Sequence, residues 1–173
     1  MNPPFALYSE EHPWFTFADY GAVLDIMARL SATRVLEFGP GSSTLALIEG
    51  GAVHIDSCEA DPDWLAVYQR RLAPHAAIVA LHAYQHEDPL AIAAIDNQRF
   101  DFGFVDGPRD TSRRGAEIRY ALDRCLWVAC HDGMAAPIVA AMDQASAARR
   151  RVEVIRYDRN PGEPHAIGLI GPC

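Results

Sequence analysis

One pattern constrains this chain more than any other: short apolar runs alternate with longer stretches of helical character, almost from end to end. Val35-Leu36-Glu37-Phe38 is an apolar run stopped by Gly39 and predicts a strand. Ser42 to Glu49 predicts a helix, with Ser42 or Ser43 as its cap and Gly50-Gly51 as its stop. Val53 to Glu59 predicts a second strand, and Asp61-Pro62 then opens a helix to about Leu72, with Asp as cap and Pro in the first turn. The alternation continues with a strand at Ala77 to His82, a helix from Asp88-Pro89 to Ile95 and a strand at Phe100 to Val105. A helix at Arg113 to Arg124, a strand at Leu126 to Cys130 and a helix at Ala136 to Arg150 follow. Strands at Val152 to Arg156 and His165 to Ile170 come last, joined by a turn through Asn160-Pro161-Gly162. Ahead of all this, Val23, Leu24, Ile26, Met27 and Leu30 recur at helical spacing, which predicts a leading helix over Phe17 to Leu30.

Strands that alternate with helices imply a parallel sheet covered on both faces. The last two strands have no helix between them and must pair as a hairpin, which sets one antiparallel strand in an otherwise parallel sheet. No repeat, low-complexity tract or linker interrupts the pattern. Residues 1–173 therefore read as one domain, with an arm and leading helix over 1–30 and an α/β core over 31–173. In such sheets ligands bind beyond the carboxyl ends of the strands, at the topological switch point. The residues just after each strand are the ones to question.

Composition removes several classes of function. The chain has 15 basic residues, all Arg, against 23 acidic ones, a formal net charge of −8. Phosphate recognition needs clustered Lys and Arg, so no nucleic-acid partner is expected. The one basic run, Arg149-Arg150-Arg151, suits a helix end, where cations meet the dipole. No apolar stretch reaches the roughly 18 residues of a membrane span, and Met1 to Glu11 lacks the basic and apolar regions of a secretory signal. Cys58, Cys125, Cys130 and Cys173 include no C-x-x-C pair and read as reduced thiols of a cytoplasmic protein rather than disulfides or a zinc site.

The first strand runs into Gly39-Pro40-Gly41-Ser42-Ser43-Thr44, a loop whose glycines permit a tight turn and close approach of a ligand to the backbone. The helix that follows aims its N-terminal N–H groups at that place. Glu37, just before the loop, would repel a pyrophosphate, and the dinucleotide pattern G-x-G-x-x-G fails at Thr44. Glu59 ends the second strand, 20 residues beyond Gly39, the place for an acid that accepts both ribose hydroxyls. Together these point to a nucleoside ligand that is not a dinucleotide.

At these residues the chain resembles the class I S-adenosylmethionine-dependent methyltransferases. Glu37-Phe38-Gly39-Pro40-Gly41 looks like their E/D-x-G-x-G loop and Glu59 like their ribose-binding acid. Within the family, Leu36 to Leu45 is similar to a bacterial subgroup with an L-E-x-G-x-G-x-S-T loop. That subgroup carries V-D-G after strand four, here Val105-Asp106-Gly107, and H-D after strand five, here His131-Asp132. The resemblance spans about residues 14 to 171 and implies an α/β, Rossmann-like doubly wound sheet of seven strands, mostly parallel, with an antiparallel C-terminal hairpin strand. It implies S-adenosylmethionine as cofactor, a net cation that acidic strand ends suit. The implied cofactor-binding residues are Glu37 near the methionine ammonium, then Phe38, Gly39, Pro40, Gly41, Ser42 and Ser43 along the loop. Glu59 and Ala60 fall at the ribose, Tyr84 where the family places its adenine contact, and Asp106 after strand four.

Methyl transfer needs proximity and alignment, plus removal of a proton when the acceptor is a hydroxyl. Asp106, His131 and Asp132 are the expected catalytic residues, and by resemblance to small-molecule O-methyltransferases the same three are the set that a divalent metal would use. A metal is not the favoured reading, because two or three ligands do not fill a site; the residues are also explained as a turn-former before Gly107-Pro108 and a cap on the next helix, and His131 suits a metal-free general base. Trp14, Phe15 and Phe17 cover the cofactor, line an acceptor pocket or anchor the arm, and Arg109, Arg113 and Arg114 meet an anionic acceptor or pair with Asp110 and Glu117. His75, His82 and His86 show no ligand spacing. The family's Gly-Gly entry to strand five is replaced here by Asp123-Arg124-Cys125-Leu126-Trp127.

The expected function is S-adenosylmethionine-dependent methyl transfer to a small-molecule acceptor, with O-methylation favoured. Two alternatives stand beside it: a module that binds cofactor without transfer, working through a partner, and another transferase that uses a sulfonium nucleoside, such as an aminopropyl transferase. No membrane partner is expected, and a second copy of the chain is left open as one.

Overall fold

The computed structural model describes residues 15–87, 90–108, 110, 112, 114–148, 150–160 and 163–173. The elements are α1 (Phe17–Leu30), β1 (Arg34–Phe38), α2 (Ser42–Glu49), β2 (His54–Glu59), α3 (Pro62–Arg71), β3 (Val79–Ala83) and β4 (Phe100–Val105). They continue with α4 (Gly115–Arg124), β5 (Cys125–Cys130), α5 (Ala136–Ala147), β6 (Arg151–Asn160) and β7 (Glu163–Gly171). The strands form one seven-stranded sheet in the order β3-β2-β1-β4-β5-β7-β6. β1 to β5 pair in parallel, and β7 runs antiparallel to both β5 and β6. This is the α/β, doubly wound, mostly parallel sheet that the alternation implies.

Side chains alternate across the sheet, as strand geometry requires. Leu36, Phe38, Val128, Cys130 and Ile170 join one buried cluster with residues of α4 and α5. Val35, Phe102, Phe104, Ala129 and Leu169 join the other, with residues of α1, α2 and α3. The helix ends follow the capping chemistry of their residues. Asp61 accepts the N–H groups of Asp63 and Trp64 and caps α3, with Pro62 in its first turn. Thr16 caps α1 reciprocally with Asp19, whose Oδ2 accepts the Thr16 N–H at 2.6 Å. α2 differs from expectation: Gly41 is its cap residue and Ser42 its first helical one, because Thr44 Oγ1 accepts the Gly41 N–H at 3.0 Å and closes the turn one residue early.

The helix expected from Asp88 to Ile95 does not form. Asp88 and Pro89 lie outside the described residues, and residues 93–97 make turns. Ile95 N–H donates to the Ile92 carbonyl and Gln98 N–H to that of Ile95, both three residues back rather than four. The Asp96 carboxylate holds the Ile92 N–H at 3.1 Å and the Tyr120 O–H at 2.8 Å. Leu90, Ile92 and Ile95 are all buried in the α4 cluster. On a helix, Leu90 would stand about 200° from Ile92 and could not share its face, so burial of all three excludes the helix.

Two other boundaries carry information. α4 runs straight into β5 with no intervening loop, since Cys125 is extended immediately after Arg124. The Cys125 Sγ fills the space beside Gly103 on β4, where a Cβ would meet it at 2.9 Å. α5 ends at Ala147, short of the arginine run. Arg150 reaches instead to the Leu122 carbonyl near the end of α4, at 2.7 Å, and Arg151 begins β6. Arg149 and the Pro161-Gly162 turn lie outside the described residues. Among the described residues no helix is long and apolar enough to cross a membrane.

Candidate functional site

β1 ends at Phe38, and the chain turns at Gly39 with φ 87°. A Cβ there would lie 2.7 Å from Gly107 N and 2.9 Å from Gly107 Cα, so only glycine lets the loop after β1 lie against the loop after β4. The two loops are also tied by hydrogen bonds, for Asp106 and Gly107 both donate their N–H to the Phe38 carbonyl, at 2.9 and 2.8 Å. The chain leaves β1 toward β2 and reaches β4 on its other side, so this contact is the switch point of the sheet.

Beneath the loop, Glu37 is fully buried. Ser43 donates its hydroxyl to Oε1 at 2.7 Å, and Thr44 and Ser57 donate theirs to Oε2 at 2.7 and 2.6 Å. Burial pushes the carboxyl up to about 7, against the pull of those three hydroxyls. Glu37 thus organises the loop from below, and Ser43 and Thr44 are turned toward it. The Phe38 ring lies in the core, edge-on to Tyr84 and Tyr120. Pro40 is buried, and its carbonyl accepts the indole N–H of Trp64 at 3.0 Å, which ties the start of α3 to the loop.

Ser42, in the first turn of α2, is buried and its Oγ has no hydrogen-bond partner among the described residues. An oxygen-bearing ligand at this helix end would supply one. Glu59 is half-buried at the end of β2 and accepts the Asp61 N–H at 2.8 Å; burial raises its pKa. Ala60 is half-buried beside it. Tyr84 is buried, and its O–H donates to Glu117 Oε1 at 3.0 Å, the oxygen that also meets His86 Nδ1 at 2.6 Å. The phenol is therefore engaged from within. Glu117, on α4, is a participant that the sequence reading did not place here.

The strand ends beyond β4 and β5 hold a second cluster. His131 is buried, with Asp106 Oδ1 2.9 Å and Asp132 Oδ2 3.6 Å from its Nδ1. Its Nε2 faces Asp19 Oδ1 at 3.2 Å and His165 Nε2 at 3.3 Å. Tyr157 donates its O–H to the same Asp19 oxygen at 2.5 Å. Arg114, buried at the start of α4, donates to Asp132 Oδ2 at 3.0 Å and to the Pro108 carbonyl at 2.8 Å, and lies 3.5 Å from Asp106 Oδ1. Burial alone would lower the His131 pKa, but the Asp106, Asp132 and Asp19 carboxylates outweigh it and hold it well above the usual range. Burial alone would raise those of Asp19 and Asp132, yet His131 holds both well below theirs, with help from Tyr157 at Asp19 and Arg114 at Asp132.

The three catalytic candidates therefore do meet, and Asp19, His165, Tyr157 and Arg114 join them unforeseen. Thr16-Phe17-Ala18-Asp19 is a legible capping box, but that signal announces a helix start and not a site. Arg114 pairs with Asp132 and Asp106 rather than with Asp110 or Glu117, and is committed there rather than free for an anionic acceptor. Arg109, Arg113 and Trp14 lie outside the described residues. Phe15 is buried with its ring 5.4 Å from that of His131, so it anchors the start of α1, while Phe17 is exposed. The arrangement does not suit a metal on Asp106, His131 and Asp132 together. The Arg114 guanidinium already sits against both carboxylates.

No protein-family model matches the chain, and no curated protein matches it in sequence. Solved structures do match in fold. The O-methyltransferase from Bacillus cereus in complex with SAH superposes with a TM-score of 0.69 at 17% identity, over 88% of this chain and 80% of that one. Precorrin-6y C5,15-methyltransferase from Geobacter metallireducens gives 0.67 at 15%, over 90% and 88%. The cofactor-bound protein Rv0187 from MTB gives 0.67 at 19%, over 97% and 82%. The class defined is thus a Rossmann-like fold shared with methyltransferases.

Proposed function

We propose that this chain transfers a methyl group from S-adenosylmethionine to a small-molecule acceptor in the cytoplasm, with a hydroxyl as the favoured acceptor group. The observation that carries the reading is the cradle at the switch point. Gly39 is pressed against Gly107, and the first turn of α2 opens there with the buried Ser42 Oγ lacking a partner among the described residues. The fold likeness to methyltransferases supports it, and the net charge of −8 suits a cationic cofactor.

S-adenosylmethionine would bring the activated methyl group; the protein's part is binding, alignment and proton removal. Gly39 and Gly41 admit the ligand to the backbone, Ser42 offers its hydroxyl, and Glu59 accepts from the ribose. Glu37 holds the loop in shape through Ser43, Thr44 and Ser57. Asp106, with 23% of its side chain exposed, is the carboxylate that can reach an acceptor hydroxyl. His131 is only 2% exposed and lies behind it, so His131 positions Asp106 rather than touching the acceptor. Arg114 fixes Asp132 and the Pro108 carbonyl, which sets the wall of the site.

A second reading, cofactor binding without transfer, draws support from the same cluster, where Arg114 and His131 already engage both Asp106 and Asp132. Calorimetric titration with S-adenosylmethionine and S-adenosylhomocysteine tests the common step. Saturable binding, lost at least a hundredfold in Gly39→Arg, supports both readings, and no binding of either nucleoside overturns them. Labelled-methyl transfer to panels of phenols, amines, carboxylic acids and RNA then separates them. Transfer to a small hydroxyl compound supports the first reading, transfer to RNA alone overturns its acceptor class, and binding with no transfer favours the second.

A further inference from the structure

We propose that Asp19 Oδ1, His131 Nε2 and His165 Nε2 form a binding site for a divalent transition-metal ion of the zinc class. The three donor atoms come from α1, the end of β5 and β7, and all lie within 4.8 Å of one another. His131 Nε2 is 3.2 Å from Asp19 Oδ1 and 3.3 Å from His165 Nε2, and the latter two are 3.8 Å apart. Two nitrogens bound at tetrahedral angles to one zinc ion lie about 3.3 Å apart, given Zn–N distances of roughly 2.0–2.1 Å. This set shares only His131 with the Asp106, His131 and Asp132 group that Arg114 obstructs.

Charge makes the same case. Among the described residues, Asp19, Asp106 and Asp132 bring three carboxylates and Arg114 one guanidinium to this cluster, an acidic surrounding that suits a divalent cation. Asp106 beside His131 Nδ1 is then the outer carboxylate that metal-bound histidines commonly use to fix their tautomer. The Tyr157 hydroxyl on Asp19 Oδ1 is compatible, since a carboxylate oxygen has two lone pairs.

A second histidine–carboxylate group in the chain shows the contrast. His54 and His82 flank Asp56, but each takes its own oxygen, Oδ2 at 2.8 Å and Oδ1 at 2.6 Å. That arrangement is satisfied by protons alone. In the Asp19 group the two Nε2 atoms stand 3.3 Å from each other beside one carboxylate oxygen, and Asp132 Oδ1 lies 3.4 Å from His165 Nε2. Two nitrogens and one carboxylate oxygen favour zinc, cobalt or ferrous iron over magnesium, which prefers six oxygens.

The test uses the full chain stripped with a chelator, then titrated with Zn²⁺ and separately with Co²⁺. The expected results are about one ion retained per chain, a visible Co²⁺ absorption band and a Zn²⁺-dependent rise in Tm, none of them diminished by excess Mg²⁺. His165→Ala, which removes a partly exposed side chain, and Asp19→Asn, which retains an oxygen for the α1 cap, should each weaken uptake at least tenfold. Circular dichroism checks that each variant is folded. No stoichiometric uptake overturns the proposal, as does uptake equal to wild type in folded His165→Ala, which would place the ion elsewhere. Binding of S-adenosylhomocysteine, measured on the same samples, reads the methyl-transfer proposal separately.

Discussion

Glu37 and Asp19 are both fully buried carboxylates on the same side of the sheet, and their environments push them in opposite directions. Glu37 is met by three hydroxyls from Ser43, Thr44 and Ser57. Asp19 is met by His131, the Tyr157 hydroxyl and the Thr16 backbone. Both have their hydrogen bonds satisfied. Hydroxyls satisfy lone pairs but bring no charge, so the desolvation of Glu37 is only partly offset and its carboxyl rises to about 7. An imidazolium partner brings charge as well, so Asp19 stays ionised. Satisfied hydrogen bonding and compensated charge are separate conditions, and a buried acid reports which of them it has.

The largest effect should come from breaking the charged side of this contrast. Asp19→Ala leaves His131 among carboxylates without its closest partner on Nε2 and removes the carboxylate half of the α1 capping box, which is expected to cost about 3–5 kcal/mol at pH 7 by urea denaturation. A loss below 1 kcal/mol would show that the cluster does not depend on this carboxylate.

The neutral side is sharpened by pH. The folded Glu37 carboxyl titrates near 7 against an ordinary value of 4.5, so across that interval the folded chain holds a proton that the unfolded chain has released. Its contribution to stability is therefore complete below about pH 4.5, declines as pH rises through 7 and is gone above it. The difference in unfolding free energy between wild type and Glu37→Gln should shift by about 3 kcal/mol over this range, with wild type losing ground as pH rises. A pH-independent difference would mean that Glu37 has its ordinary pKa.

A smaller loss is expected from the loop that Glu37 supports. Gly39→Ala forces a Cβ onto Gly107 at a positive φ and should cost about 2 kcal/mol, visible as a lower Tm and weaker S-adenosylhomocysteine binding. Unchanged binding would detach the Gly39 contact from the ligand site. The smallest effect is Tyr157→Phe, which removes one hydrogen bond to Asp19 and should cost about 1 kcal/mol by urea denaturation. A cost as large as that of Asp19→Ala would transfer the leading role to the phenol.

Much of this was legible before any fold was seen. Local signals gave Asp61-Pro62 as a helix start, and the apolar run halted at Gly39 as a strand and turn. The expected helix from Asp88 to Ile95 failed because a capping pair is a local signal, whereas Leu90, Ile92 and Ile95 answer to the α4 face they bury against. Asp106, His131 and Asp132 were visible because strand ends fall next to one another in a parallel sheet. Asp19, 112 residues from His131, and Tyr157, 138 residues from Asp19, were not.

What the sequence determined by itself is the order of elements, their capping and the glycine loop at the end of β1. Those depend on contacts within a few residues, where side-chain size and hydrogen-bonding type act directly on the backbone. What only the tertiary structure decided is the state of the charged groups. Whether Glu37 is neutral, whether Arg114 faces an acceptor or Asp132, and whether His131 and His165 meet are set by burial and by partners from distant segments. Desolvation and Coulomb energy depend on distance in space and on exclusion of water, and neither is written in the spacing of residues along the chain.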